Sequence, residues 1–371
     1  MISIVPQISR VTNLGWMFGY ADNFNQDLSA WDTSRVTNFD FMFGEASVFN
    51  SSLSTWDVSS GTTFFEMFNK ADVFNSDLNS WDVSSSTSIQ KMFMYSTSFN
   101  QPLHNWDVSS VSNIESLFYG ASNFNQNIDS WDTQLVRSLY GTFYEASMFE
   151  QDLSGWSTES VTSLSQTFYK AARFNGNMST WDTQKVTTLS WTFFETSLDQ
   201  DLSGWDTAQV SSLLYTFGST PFNQDITAWD VSKCINFDTL FFDTSSFNQA
   251  IGSWDTTSAT QMYGTFMNAK AFNQPLNNWD VAKVVTLKQM FQNAEAFNQA
   301  LDSWDLASAT TVASMFWIAS QFSQDLTLWG SSLNTSHEGF TCTNIESSNP
   351  SCFPSILVEM GCVTSCCPSQ V

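Results

Sequence analysis

Eleven aspartates each stand directly after a tryptophan: Asp32, Asp57, Asp82, Asp107, Asp132, Asp182, Asp206, Asp230, Asp255, Asp280 and Asp305. A carboxylate that recurs at one place in a repeated unit has two chemistries open to it. Stacked parallel strands lie about 4.8 Å apart, where neighbouring carboxylates repel by roughly 1 kcal/mol in water. Splayed strands, Ser and Thr hydroxyls beside each aspartate, or a bound cation would each relieve that repulsion. In the first chemistry every aspartate accepts bonds from the Ser two residues on, as an Asx-turn allows. In the second, Asp182, Asp206, Asp230, Asp255, Asp280 and Asp305 form an acidic binding stripe. The stripe would take a basic partner, or calcium bridging coils through oxygen ligands. Calcium is the candidate ion for this stripe, and no other cofactor is expected.

Other reactive side chains give catalysis little to stand on. Of the two histidines, His104 replaces the Ser, Asn or Asp that other units carry two residues before tryptophan, and His337 lies in the tail. Neither has a repeated partner, and no P-loop, GxSxG elbow or HExxH motif occurs. A non-enzyme is expected. Cys234 occupies a place held elsewhere by Val36, Val161 or Val186 and reads as a buried thiol. Cys342, Cys352, Cys362, Cys366 and Cys367 crowd the tail without Cys-x-x-Cys ribbon spacing. They read as a disulfide-linked cap, with one cysteine left free or joined to a second chain. Crowded cysteines favour an oxidising compartment.

With 36 Asp plus Glu against 12 Lys plus Arg, the net charge is −24. That balance favours solubility and disfavours nucleic acid or an anionic membrane face. No run of 18 apolar residues occurs, so no membrane span is expected. Met1–Gln7 has neither a basic n-region nor a long apolar h-region and does not read as a secretory signal.

The elements that must position these residues are set by a period. Tryptophan recurs at 31, 56, 81, 106, 131, 156, 181, 205, 229, 254, 279, 304 and 329, in steps of 25 with two of 24. Both deletions fall between the paired phenylalanines of a unit, Phe193 to Leu198 and Phe217 to Phe222, which marks a loop. Leu164, Thr167, Phe168 and Ala171 stand at i, i+3, i+4 and i+7, the spacing of one face of a short helix. Around each tryptophan, apolar and polar residues alternate, which predicts a very short strand with Trp inward and Asp outward. Such a unit cannot bury its own aromatics, whereas a stack of units can. The expectation is therefore an α/β solenoid of about thirteen coils over 1–330, each with one short parallel strand and one helical turn. Residues 331–371 form the Cys-rich tail. Trp131, Phe143, Trp156 and Phe168 are expected in the core between coils. Asparagines after phenylalanine, such as Asn100 and Asn273, are expected to bond backbone groups of the next coil.

Phe24-Asn25-Gln26-Asp27-Leu28-Ser29-Ala30-Trp31-Asp32-Thr33-Ser34-Arg35-Val36-Thr37-Asn38 resembles the repeat of BspA-like leucine-rich-repeat surface proteins, including those of mycoplasmas. The resemblance covers about residues 8 to 330. It implies a leucine-rich-repeat-like solenoid, extracellular or cell-surface placement, and adhesion or recognition of a protein or matrix ligand. It carries no catalytic residues. The rival expectation is a self-assembling wall or matrix protein that stacks end to end, since Val11, Leu14 and Phe18 already stand in register at the start.

Overall fold

The computed structural model describes residues 8–326 and 328–329. Its local logic is clear in the coil that follows Trp31. The N–H groups of Phe39, Phe41, Phe43 and Glu45 donate to the carbonyls of Thr63, Phe65, Met67 and Asn69 in the next coil, at 3.1, 2.8, 2.9 and 2.6 Å. The N–H groups of Met42, Gly44 and Ala46 donate instead to Phe39, Phe41 and Phe43 of their own coil, at 3.2, 3.1 and 3.1 Å. Peptides thus bond alternately along the stack and within the coil. Phe41 (φ 52) and Glu45 (φ 59) are left-handed, each the third residue of a turn, where a type II turn needs positive φ. The same pair recurs at Glu66 and Lys70, Gln166 and Lys170, Tyr215 and Ser219, and Gln289 and Asn293.

This turn ribbon replaces the helical turn expected from the sequence. Among the described residues helix is confined to short 3-10 turns, Ile251–Ser253 and 328–329. The reason is spacing. An α-helix is about 10–12 Å across, while coils joined by direct backbone hydrogen bonds lie about 4.8 Å apart. A helix would also spend internally the N–H groups that the ribbon sends to its neighbour. The apolar spacing looked helical because a ribbon that repeats every four residues also buries i, i+3, i+4 and i+7, as Leu164, Thr167, Phe168 and Ala171 show.

The expected strand also moves. At the tryptophan the chain turns, with the Trp31 N–H bonded to the Leu28 carbonyl at 3.0 Å. Parallel pairing occurs seven residues later, as isolated bridges such as Asn13↔Asn38, Asn38↔Thr63 and Thr63↔Ser88. A strand is therefore reduced to one bridging residue per coil.

The chain divides into two compact units, Met1–Val186 with Glu195–Ser197, and Thr187–Phe194 with Leu198–Val371. Each is a stack of coils. In the first, Trp131 and Trp156 are buried and stack at 6.3 Å with 4° between planes. Phe143 and Phe168 stack at 5.5 Å with 3° between planes, and both are fully buried. In the second unit, Trp205 and Trp229 stack at 6.4 Å, and Phe241 and Phe266 at 5.6 Å. Buried polar groups are paired by the repeat itself. Thr167 Oγ1 donates to the Leu164 carbonyl and lies within reach of that of Leu139. Asparagine side chains form ladders: Asn100 Oδ1 accepts from the Asn125 N–H and the Gln126 amide, and Asn273 Oδ1 from Asn298 and Gln299.

Candidate functional site

The aspartates after tryptophan are exposed, and each terminates its own turn. Oδ1 of Asp182, Asp206, Asp230, Asp255, Asp280 and Asp305 accepts the N–H two residues on, at 2.9–3.0 Å. Hydrogen bonds from the Ser232 side chain and backbone hold the Asp230 carboxyl below the ordinary range. Thr257 does the same for Asp255, against a smaller opposing push from Asp230. These Asx-turns are made locally by residue i+2, and Asp182 lies in the first unit while the other five lie in the second. Among the described residues no three His, Cys, Asp or Glu side chains converge to hold a metal ion. Each of these aspartates therefore has a structural task in its own coil.

The remaining candidates of the sequence scatter. His104 is exposed, with Nε2 3.4 Å from the Asn79 amide nitrogen. Cys234 is buried, and burial pushes its thiol up to about 12, so it stays protonated. His337, Cys342, Cys352, Cys362, Cys366 and Cys367 lie outside the described residues.

A different surface stands out on the turn ribbon. Counted from the tryptophans of the 25-residue series, which form a stacked ladder in each unit, the residues at 8, 11, 12 and 15 face the core, and those at 9, 10, 13 and 14 form the other side of the ribbon. All eight tyrosines of the chain occupy these four places: Tyr20, Tyr95, Tyr119, Tyr140, Tyr144, Tyr169, Tyr215 and Tyr263. So do the three tryptophans outside the ladder, Trp16, Trp191 and Trp317. These are also the places where the repeat has no consensus. Place 10, for example, reads Glu66, Lys91, Ser116, Gly141, Gln166, Trp191 and Tyr215 in successive coils. Sequence reasoning passed over them because the strict positions carried the period. The signal was nonetheless present, in where tyrosine falls.

In the first unit the ribbon carries a tyrosine column. Tyr119 and Tyr144 stack at 4.0 Å, and Tyr144 and Tyr169 at 4.4 Å. Tyr95 meets Tyr119 edge-on at 5.2 Å. The four are half-buried. Burial raises the Tyr119 and Tyr144 phenols above their ordinary value, so both remain hydroxyl donors. Ion pairs flank the column: Lys70–Glu45 at 2.9 Å, Lys91–Glu66 at 3.1 Å and Lys170–Glu195 at 4.0 Å. Such surface pairs add little stability but fix a charge pattern. In the second unit Trp191 stacks on Tyr215 at 3.8 Å, and Phe194 and Phe242 meet Tyr215 edge-on at 5.4 and 5.8 Å.

Among known proteins, a family profile described as Mycoplasma protein of unknown function, DUF285, matches residues 5–105, 87–197, 138–250 and 237–349. No curated relative matches. Solved structures similar to the chain include a TLR13-ssRNA13 complex, at 10% identity and TM-score 0.20 over 78% of this chain and 46% of that one. An internalin from Listeria monocytogenes matches at 9% identity and TM-score 0.20, over 81% of this chain and 78% of that one. A plant peptide hormone receptor in complex with RGF2 matches at 9% identity and TM-score 0.17, over 73% and 44%. The chain thus spans under half the length of the two receptors, and superpositions this distant carry no argument about its function.

Proposed function

Because the chain belongs to the mycoplasma DUF285 family, whose description assigns no activity, we propose its function from its geometry: a non-catalytic recognition scaffold that binds through the ribbon face. One observation carries the reading. Every tyrosine and every tryptophan outside the 25-residue series lies at place 9, 10, 13 or 14 of the coil, four of the places that the period leaves variable. Tyrosine and tryptophan supply large contact area, a polar tip and little side-chain entropy to lose, which is why binding surfaces concentrate them. A solenoid presents such side chains from consecutive coils as one extended surface.

The occupant that fits is a protein or matrix ligand, at the cell surface or outside the cell. The net charge of −24 opposes nucleic acid. Among the described residues no helix is long and apolar enough to cross a membrane. The aspartate stripe, with calcium as its possible ion, is the competing surface. We set it second because each of its carboxylates is already occupied by its own turn.

Solid-phase binding to a panel of extracellular matrix and serum proteins tests the reading. The full chain is compared with a Tyr119→Ser, Tyr144→Ser, Tyr169→Ser variant and with an Asp230→Asn, Asp255→Asn, Asp280→Asn variant, each with and without calcium. The expected result is a loss of about tenfold or more in the tyrosine variant, about 1.4 kcal/mol or more, and binding within twofold in the aspartate variant. The reverse pattern assigns recognition to the stripe.

A further inference from the structure

The two units carry an aspartate at the same register position in different states. Asp40 and Asp238 each stand nine residues after a ladder tryptophan, Trp31 and Trp229. Asp40 is well supplied. It accepts Asn38 Nδ2 at 2.9 Å, Thr63 Oγ1 at 2.6 Å and the Phe65 N–H at 2.9 Å. Asp238 keeps only the last of these, from the Tyr263 N–H at 2.6 Å. The residue that corresponds to Thr63 is Gln261, which has no hydroxyl, and it draws the Asn236 amide away to its own Oε1 at 3.0 Å. Asp238 is half-buried, and among the described residues it forms no ion pair. The Asp238 carboxylate is thus partly withdrawn from water with one hydrogen bond where Asp40 has three, which leaves acceptor capacity for a donor.

The surroundings say what kind of partner. Tyr215, Phe242 and Tyr263 share this stretch of ribbon with Asp238. Their rings do not form the parallel column of the first unit. Phe194 meets Tyr215 at 88° and Phe242 meets Tyr215 at 69°, against 6° for Tyr119 with Tyr144. Trp191 stacks on one face of Tyr215, but the crossed rings of Tyr215 and Phe242 do not cover one another's faces, and an aromatic face attracts a cation. The hydroxyl of Thr239, the next residue, is buried with no partner. No lysine or arginine stands on the ribbon from Trp191 to Met267.

We propose that this stretch, centred on Asp238, Tyr215, Phe242 and Tyr263, receives a cationic side chain, arginine or lysine, from a basic segment of a protein partner. The carboxylate supplies charge-assisted acceptors, the crossed rings supply cation–π contact, and the −24 charge of the chain steers a basic partner inward. Burial of Asp238 raises its carboxyl above the ordinary range, which a bound cation would reverse. The proposal rests on the ribbon reading and names the partner chemistry for one part of that face.

The test uses the full chain and fluorescein-labelled peptides of alternating arginine and glycine, of lysine and glycine, and of uncharged citrulline and glycine. Fluorescence anisotropy is read near 0.15 M salt. Saturable binding of at least one basic peptide is expected, with citrulline excluded, and arginine against lysine tells which cation fits. Asp238→Asn should weaken binding about tenfold or more, while Asp255→Asn, a self-capped exposed aspartate, should change it less than twofold. Circular dichroism establishes that both variants fold. Equal losses in the two variants would show diffuse electrostatics and overturn the site, as would citrulline binding as well as arginine or wild type failing to saturate. If the basic peptides fail while the tyrosine variant still loses its matrix or serum ligand, the ribbon reading stands and this proposal alone falls.

Discussion

The indole Nε1 of Trp156 donates to the carbonyl of Ile128 at 3.0 Å, into the coil before its own. The same oxygen accepts the Trp131 backbone N–H at 3.1 Å. One carbonyl therefore closes the turn of its own coil and anchors the tryptophan of the next. The arrangement repeats in the second unit, where Trp279 Nε1 and the Trp254 N–H share the Ile251 carbonyl at 3.0 and 3.2 Å.

Two losses at Trp156 can accordingly be separated. Trp156→Phe removes the donor but keeps a ring, and should cost about 1–2 kcal/mol. Trp156→Ala empties the site between coils and should cost about 3–5 kcal/mol, as should Phe143→Ala. Denaturant unfolding measures both. Because coupling runs between neighbours, the Ala variants are expected to split the transition. An unchanged midpoint in Phe143→Ala would mean the core register is wrong.

Glycine substitution tells ribbon from helix by sign. Gln166 has φ +58, a conformation that costs a side-chain-bearing residue roughly 1–2 kcal/mol. Gln166→Gly should raise the unfolding midpoint in the ribbon, whereas in a helix interior glycine costs roughly 1 kcal/mol. Gly141→Ala, at φ +60, should lower it.

At the asparagine ladder the acceptor matters, not the amide. Asp199 already serves in this row, accepting the Asn223 N–H at 3.0 Å. Asn273→Asp should therefore be tolerated near neutral pH. Asn273→Ala should cost about 1–3 kcal/mol by stranding the Asn298 N–H. Paired denaturant curves for the two variants check this.

Acid stability carries two opposite signs. Asp230 and Asp255 are held below the ordinary aspartate range, so their contribution is present above the unfolded value and lost as pH falls through their folded values. Thermal midpoints should therefore drop below about pH 4, and less steeply in the Asp230→Asn, Asp255→Asn double variant. Asp238 is raised instead, so its ionisation costs stability as pH climbs past its unfolded value. Asp238→Asn should then be more stable than wild type at pH 7 and equal to it below pH 3.

What the sequence determined by itself is what the period controls. The 25-residue register places Trp131, Phe143, Trp156 and Phe168, and repetition alone requires each coil to bury them against its neighbours. The asparagine row and the aspartate followed two residues later by a donor are likewise local patterns, readable because each bond is made within one coil or to the same place in the next. What only the tertiary structure decided is how the backbone runs between Leu164 and Ala171. Helix and ribbon bury the same four residues, and the choice is forced by coil spacing, a property of the stack and not of any segment. The same holds for Asp40 and Asp238. Both are one aspartate at one register position, and their difference lies in whether the residue 23 positions ahead brings a hydroxyl, as Thr63 does for Asp40 and Gln261 does not for Asp238.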